Sequence, residues 1–245
     1  MKKFLALMLA LMMVFALAAC GKQAAPAASD TDVKGEGVMT YEEYAAAAID
    51  DPVVVETYVQ ATQSWWDNTI TVYSQDKDGA YFIYNMACSE EDAAKLVPGT
   101  KIKVTGYKAE WSGEIEIADA TFEIEEGSYI AEPLDVTDLL GKDELADKQN
   151  MKVAFKGMTV EDSGNGSAFM YNWDGSGSQG DDVYFTVSKD GSSYSVLIES
   201  YLCSSDTEVY KAAEALKVGD VIDMEGFLYW YEGVQPHITS ISPAA

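Results

Sequence analysis

Short runs of alternating apolar and polar residues fill the chain from about residue 50 to 242, and they come in two sets. The first set predicts strands over 53–62, 69–73, 81–86, 100–111 and 114–123; the second predicts them over 151–161, 183–188, 194–200, 220–231 and 237–241. In each set a Lys-Asp-Gly triplet separates the second run from the third, at Lys77-Asp78-Gly79 and Lys189-Asp190-Gly191. Asp-Gly accepts the positive φ of a tight turn, so both triplets predict hairpins. A Cys-Ser pair and a helix-favouring stretch then precede the fourth run: Cys88-Ser89 before 90–96, and Cys203-Ser204 before 207–216.

The two sets are copies of one unit. Residues 96–113, LVPGTKIKVTGYKAEWSG, align without gaps on 216–233, LKVGDVIDMEGFLYWYEG. Leu96, Gly99, Ile102, Gly106 and Gly113 coincide with Leu216, Gly219, Ile222, Gly226 and Gly233, and three glycines in register make chance an inadequate explanation. Gly106 and Gly226 fall inside the fourth strand, where a small barrel bends sharply.

Strand, strand, hairpin, strand, short helix, strand, strand is the order of the OB-fold, a five-stranded, partly open Greek-key barrel. The expected fold class is therefore mainly β: two tandem five-stranded OB-fold-like barrels, each with a short helix between strands three and four, preceded by a signal peptide and a flexible tether. On these motifs the chain resembles the OB-fold domains found in tandem in secreted bacterial lipoproteins, and is similar in outline to anticodon-binding-type OB modules. The resemblance covers about 50–125 and 150–242 and implies the fold alone, since OB folds host many functions. The boundaries read as 1–19 signal peptide, 20–38 lipidated Cys and tether, 39–130 first barrel and 131–245 second barrel. A short helix is expected ahead of each barrel: Thr40 and Glu43 make a capping-box pair before the Ala-rich stretch 41–49, and 137–147 plays the same part in the second unit.

Lys2 and Lys3 precede an uncharged run from Phe4 to Ala19, which closes on Leu17-Ala18-Ala19-Cys20-Gly21. A charged start, an apolar middle and a small-residue cleavage site are the parts of a secretory signal. The run is shorter than the roughly 20 residues a spanning helix needs. Its end resembles the bacterial lipobox, whose Cys becomes the acylated N-terminus. Cys20 is thus the expected lipidation site, carrying a palmitate-type anchor, and the rest of the chain is expected to be extracytoplasmic and tethered to the cell membrane. Residues 21–37 are small, polar and Pro-interrupted, as a flexible spacer is.

At 48% hydrophobic and 11% aromatic residues the chain can fill two cores, so 41 acidic side chains against 16 basic ones describe its surface rather than disorder. All 16 are Lys; Arg does not occur. Cleavage before Cys20 removes two Lys and no acid, which takes the net charge from -25 to -27. Phosphate recognition favours clustered cations and the Arg fork, so on charge nucleic acid is disfavoured as a partner. Lys101, Lys103 and Lys108 of the first unit also have no counterpart at Val221, Asp223 and Leu228. One His and three Cys leave no zinc cluster, no Cys-x-x-Cys pair and no motif that puts a nucleophile beside His237, which reads as a hydrogen-bonded residue opening the last strand. Neither catalysis nor a cofactor is expected. Cys88 and Cys203, at equivalent places in separate barrels, read as two buried thiols, because a disulfide needs Cα atoms within about 7 Å. Asp174, Asp181 and Asp182 on a Gly-rich loop could hold a weak Ca²⁺ ion, though a solvated insertion is the plainer explanation.

Aromatic residues gather at the two loops that flank the ligand face of an OB barrel, the loop between strands one and two and the loop between four and five. Trp65, Trp66 and Trp111 lie there in the first unit; Tyr171, Trp173, Tyr229, Trp230 and Tyr231 lie there in the second. Such rings either finish the barrel mouths and the contact between barrels, or they form stacking platforms for sugars and other planar groups. In the second case Asp67, Asn68, Glu110, Asn172, Asp174 and Glu232 would supply hydrogen bonds. The leading expectation is a non-catalytic, membrane-anchored binding protein whose ligand, a carbohydrate or peptide, is held by Trp65, Trp66, Trp111, Tyr171, Trp173, Trp230 and Tyr231. A docking or scaffolding subunit of an envelope protein complex comes second, and an OB-fold oligonucleotide binder third.

Overall fold

The computed structural model describes residues 34–164 and 166–244. The expected signal peptide, the expected lipidation site Cys20 and the expected spacer as far as residue 33 lie outside the described residues. Among the described residues no helix is long and apolar enough to cross a membrane.

Two OB barrels stand in tandem. In the first, β1 (Pro52–Thr62), β2 (Thr69–Gln75), β3 (Ala80–Ala87), β4 (Thr100–Trp111) and β5 (Glu114–Ser128) close in the order β1-β2-β3-β5-β4. β1 returns antiparallel onto β4, and β3 meets β5 in parallel. Alternate residues such as Val53, Val55, Val72, Ile83, Ile102, Val104 and Ile117 point inward and form the core, as the period of two in a pleated strand requires. The second barrel repeats the plan with β7 (Lys152–Val160), β9 (Val183–Lys189), β10 (Ser192–Ile198), β11 (Val221–Phe227) and β12 (His237–Pro243). With the short strands β6 (Leu134–Asp135) and β8 (Phe169–Tyr171) its sheet runs β6-β7-β11-β12-β10-β9-β8, and a pairing of β7 with β9 closes it. These two added strands lie at its ends.

The repeated glycines sit where the barrels bend. A Cβ on Gly106 would lie 2.7 Å from Ile117 Cγ2 and 2.8 Å from the carbonyl oxygen of Ala118; on Gly226 it would meet the carbonyl oxygen of His237. Both fall at register shifts between the fourth and fifth strands, where two backbones come too close for a side chain.

The helix α1 (Tyr41–Ala46) carries the expected capping box between Thr40 and Glu43. Its other end is closed by Lys108, whose buried Nζ donates to the carbonyl oxygens of Tyr44, Ala45 and Ala47. α2 (Glu90–Ala93) and α3 (Glu208–Glu214) begin on the hydroxyls of Ser89 and Thr207. The helix expected over 137–147 is corrected: two 3₁₀ segments, Thr137–Leu139 and Asp143–Lys148, are separated at Gly141, whose φ of 78° no helix continues. The fourth strand of the second unit stops at Phe227 rather than 231. Leu228 instead exchanges hydrogen bonds with Met151 and Asn150, and Tyr229 N–H turns back to the Phe227 carbonyl. The last residues of the expected spacer also belong to the fold. Lys34 Nζ lies 2.6 Å from Asp76 Oδ2 and donates to the Glu56 carbonyl, while Asp76 also accepts from Asp78 N–H, Gly79 N–H and the Tyr81 hydroxyl. Buried charges persist when every polar atom is matched in this way.

Candidate functional site

β2 is buried on both faces from Ile70 to Gln75, because the second barrel rests on the outer face of β2 and β3. Tyr73 stacks on Phe227 with centroids 4.6 Å apart, and Phe82 meets Tyr229 edge to face at 5.3 Å. Polar pairs lock the same contact. The Tyr73 hydroxyl lies 2.6 Å from His237 Nδ1, and Gln63 Nε2 donates to both oxygens of Glu199 at 2.8 Å. Ser64 N–H donates to the Tyr201 carbonyl and Lys152 N–H to Gln75 Oε1. At the far end, Trp230 N–H and Gln149 Nε2 both donate to Glu114 Oε2.

Where the barrels part, a groove of two lobes is left between them. The first, about 420 Å³, is bordered by Trp66, Tyr84 and Tyr201 over a floor of Phe82, Thr71 and Asn85. The second, about 640 Å³, is bordered by Trp111, Trp173, Tyr184 and Tyr231. Glu199, Tyr229 and His237 belong to both. No Lys lines either lobe. Trp66 is 77% exposed and Trp173 75%, so these rings face solvent and not a core.

The expected ligand residues divide between the groove and the framework. Trp66 lines the first lobe, and Trp111, Trp173 and Tyr231 line the second, Trp111 tilted against Tyr231 at 5.2 Å. Trp65 packs on the first core and donates from Nε1 to the Cys88 carbonyl. Tyr171 packs on the second core with its hydroxyl on Glu214, and Trp230 lies over Gly113 at the β4–β5 turn. None of Asp67, Asn68, Glu110, Asn172, Asp174 and Glu232 lines either lobe. The polar groups that do line the lobes include Gln63, Asn85, Asp182, Glu199, Gln235 and His237. Their only advance signal is position, since Glu199 and His237 lie at strand ends that face the other barrel.

Burial and mutual repulsion set the charges there. Burial, reinforced by the negative charge of Asp182, pushes the Glu199 carboxyl up to about 7. Burial pushes His237 down to about 3, so its imidazole is neutral at pH 7. Glu114 is pushed up to about 8, chiefly by burial, against the lowering pull of the Trp230 N–H. Cys88 and Cys203 are free, buried thiols. The acidic loop shows no convergence: Asp174, Asp181 and Asp182 accept separately from Ser176, Ser178 and Ser200. Among the described residues no group of three or more His, Cys, Asp and Glu gathers as a metal site.

No protein family and no curated protein matches this chain. Among solved structures it is similar to a murine DNA-binding protein bound with double-stranded DNA, at 12% identity and a TM-score of 0.37, over 80% of this chain and 97% of that one. It is also similar to the tetrameric p202 HIN2, at 12% identity and a TM-score of 0.32, over 80% and 95%. A replication protein A heterotrimer bound to single-stranded DNA matches at 12% identity and a TM-score of 0.33, over 85% of this chain and 52% of that one. One expectation is corrected beside these chains, namely that nucleic acid is disfavoured as a partner. Net charge is a sum over a whole surface, whereas a strand of bases is also held by ring faces lining a groove.

Proposed function

We propose that this protein is a non-catalytic binding module, held at the outer face of a membrane by an acylated Cys20, whose inter-barrel groove takes ligands that present flat rings. The observation that carries this is the set of solvent-facing rings, Trp66, Tyr84, Tyr201, Trp111, Trp173 and Tyr231, around one groove with a polar floor. Exposed aromatic surface next to hydrogen-bonding groups is the make-up of a ligand site rather than of a core. The first lobe lies on the strand-two and strand-three face, where OB folds stack the bases of single strands, and an oligonucleotide is the leading occupant there. Carbohydrate is the second reading, favoured by a polar lining of amides, hydroxyls and carboxylates without Lys.

The test is tryptophan fluorescence and thermal shift of the full chain with oligo(dT) and with a set of oligosaccharides. Stacking contributes about 1–3 kcal/mol per ring, so Trp66→Ala is expected to weaken the ligand by on the order of tenfold or more. No response to either class would sink the proposal.

A further inference from the structure

The second lobe differs from the first in its chemistry. Five rings, Trp111, Trp173, Tyr184, Tyr229 and Tyr231, surround it together with two carboxylates, Asp182 and Glu199. Among the described residues no lysine lines the lobe or pairs with these acids. Among the described residues the one ion-pair geometry either has is Glu199 with His237 Nδ1 at 3.8 Å, and burial keeps that imidazole neutral. Gln63 and Ser200 satisfy carboxylate oxygens by hydrogen bonds but bring no positive charge to them. A third polar group lies in the same lobe. His237 is 5% exposed, stacks on Tyr229 at 4.2 Å and lines the lobe, yet its Nε2 has no hydrogen-bond partner among the described residues. A buried polar atom left unmatched is destabilising unless something meets it.

We infer that this lobe binds an organic cation, an alkylated ammonium group that sits against the rings of Trp111, Trp173 and Tyr231 and is balanced by Asp182 and Glu199. The faces of aromatic rings attract cations that shed water easily, and the two carboxylates supply the opposing charge, Glu199 in full once the pH passes its raised value of about 7. A hard metal ion fits less well, because it requires a shell of six or more oxygens and the walls here are ring faces. A volume of about 640 Å³ admits a small organic molecule, and a hydroxyl or carbonyl on that molecule would meet His237 Nε2. The inference rests on the groove being a ligand site, but not on which rings the first lobe takes.

The experiment is calorimetric titration of the full chain with choline and with 3,3-dimethyl-1-butanol, which has the same shape and hydroxyl without the charge. Choline is expected to saturate one site at least about tenfold more tightly than the neutral compound. Trp173→Ala, at a solvent-facing position, and Glu199→Gln are each expected to weaken choline several-fold while circular dichroism stays unchanged. Equal binding of the two compounds, no saturable binding of choline, or choline binding indifferent to Trp173→Ala would overturn the inference. Choline binding without any oligo(dT) or oligosaccharide response would leave it standing and remove the ring-stacking proposal; the reverse pattern would remove this one alone.

Discussion

Three buried titratable side chains at the barrel contact give the protein a pH dependence of defined sign. Glu114 ionises at about 8 in the folded state and at 4.5 when free, so from pH 4.5 upward the unfolded chain releases a proton that the folded one keeps, and stability falls until about pH 8. Glu199 acts in the same direction up to about pH 7. His237 opposes them at the acid end: its folded value of about 3 lies below 6.5, so its contribution is complete above pH 6.5 and is lost as the pH falls toward 3. The change from pH 7 to 8.5 therefore belongs mainly to Glu114. Glu114→Gln keeps an acceptor for the Trp230 N–H and has no charge to bury. It is expected to melt several degrees above the wild type at pH 8.5 and to show a flatter melting temperature between pH 7 and 8.5, measured by thermal denaturation. Equal slopes for the two proteins would refute the assignment. Tyr73→Phe is expected to cost about 1–3 kcal/mol in urea unfolding at pH 7, because it leaves a second nitrogen of His237 unmatched in a buried place.

At the scale of elements, the hairpins, the short helices after Ser89 and Ser204 and the paired glycines were legible because each is decided by residues close together in sequence. Gly226 is the sharpest case, since the His237 carbonyl occupies the place of its Cβ. Gly226→Ala is expected to destabilise by about 3 kcal/mol or more, as overpacking against backbone does. Chemical denaturation checks this, and a loss below about 1 kcal/mol would mean that the two strands can separate at that bulge. Gly106→Ala, against the methyl group of Ile117 and the carbonyl of Ala118, should behave alike. Sequence reading failed where a distant partner decided the local structure. The run from Val221 to Tyr231 alternates well enough to continue as a strand, but Leu228 finds its partners on Met151 and Asn150 and the aromatic triplet swings toward the first barrel. Residues 34–37 carry no apolar pattern, yet the buried carboxylate of Asp76 draws Lys34 into the fold. The aromatic loops were recognised as a class, whereas the separation of Trp66 and Trp173 from Trp65 and Tyr171 depends on which ring finds a core and which finds the groove.

The whole molecule is more than two copies of one barrel, because the copies meet through different faces: β2 and β3 of the first receive Phe227 and Tyr229 of the second. A repeat in sequence says that two similar units exist and nothing about which surfaces they share, so a groove assembled from both barrels was not readable from either. The contact has a consequence for cooperativity. Separating the barrels would expose Tyr73, Phe82 and Phe227 to water and strip partners from His237, Glu199, Gln75 and the Trp230 N–H. Independent unfolding of one barrel carries that cost in full, since the remaining barrel keeps the stripped face. Differential scanning calorimetry at pH 6 is therefore expected to give one transition, with van't Hoff and calorimetric enthalpies equal. Phe227→Ala, which removes the ring stacked on Tyr73, is expected to lower the melting temperature and to broaden or divide the transition, because it weakens the coupling while leaving most of each core intact. Two resolved transitions in the wild type would show that the barrels fold independently and that the groove between them opens without unfolding either one.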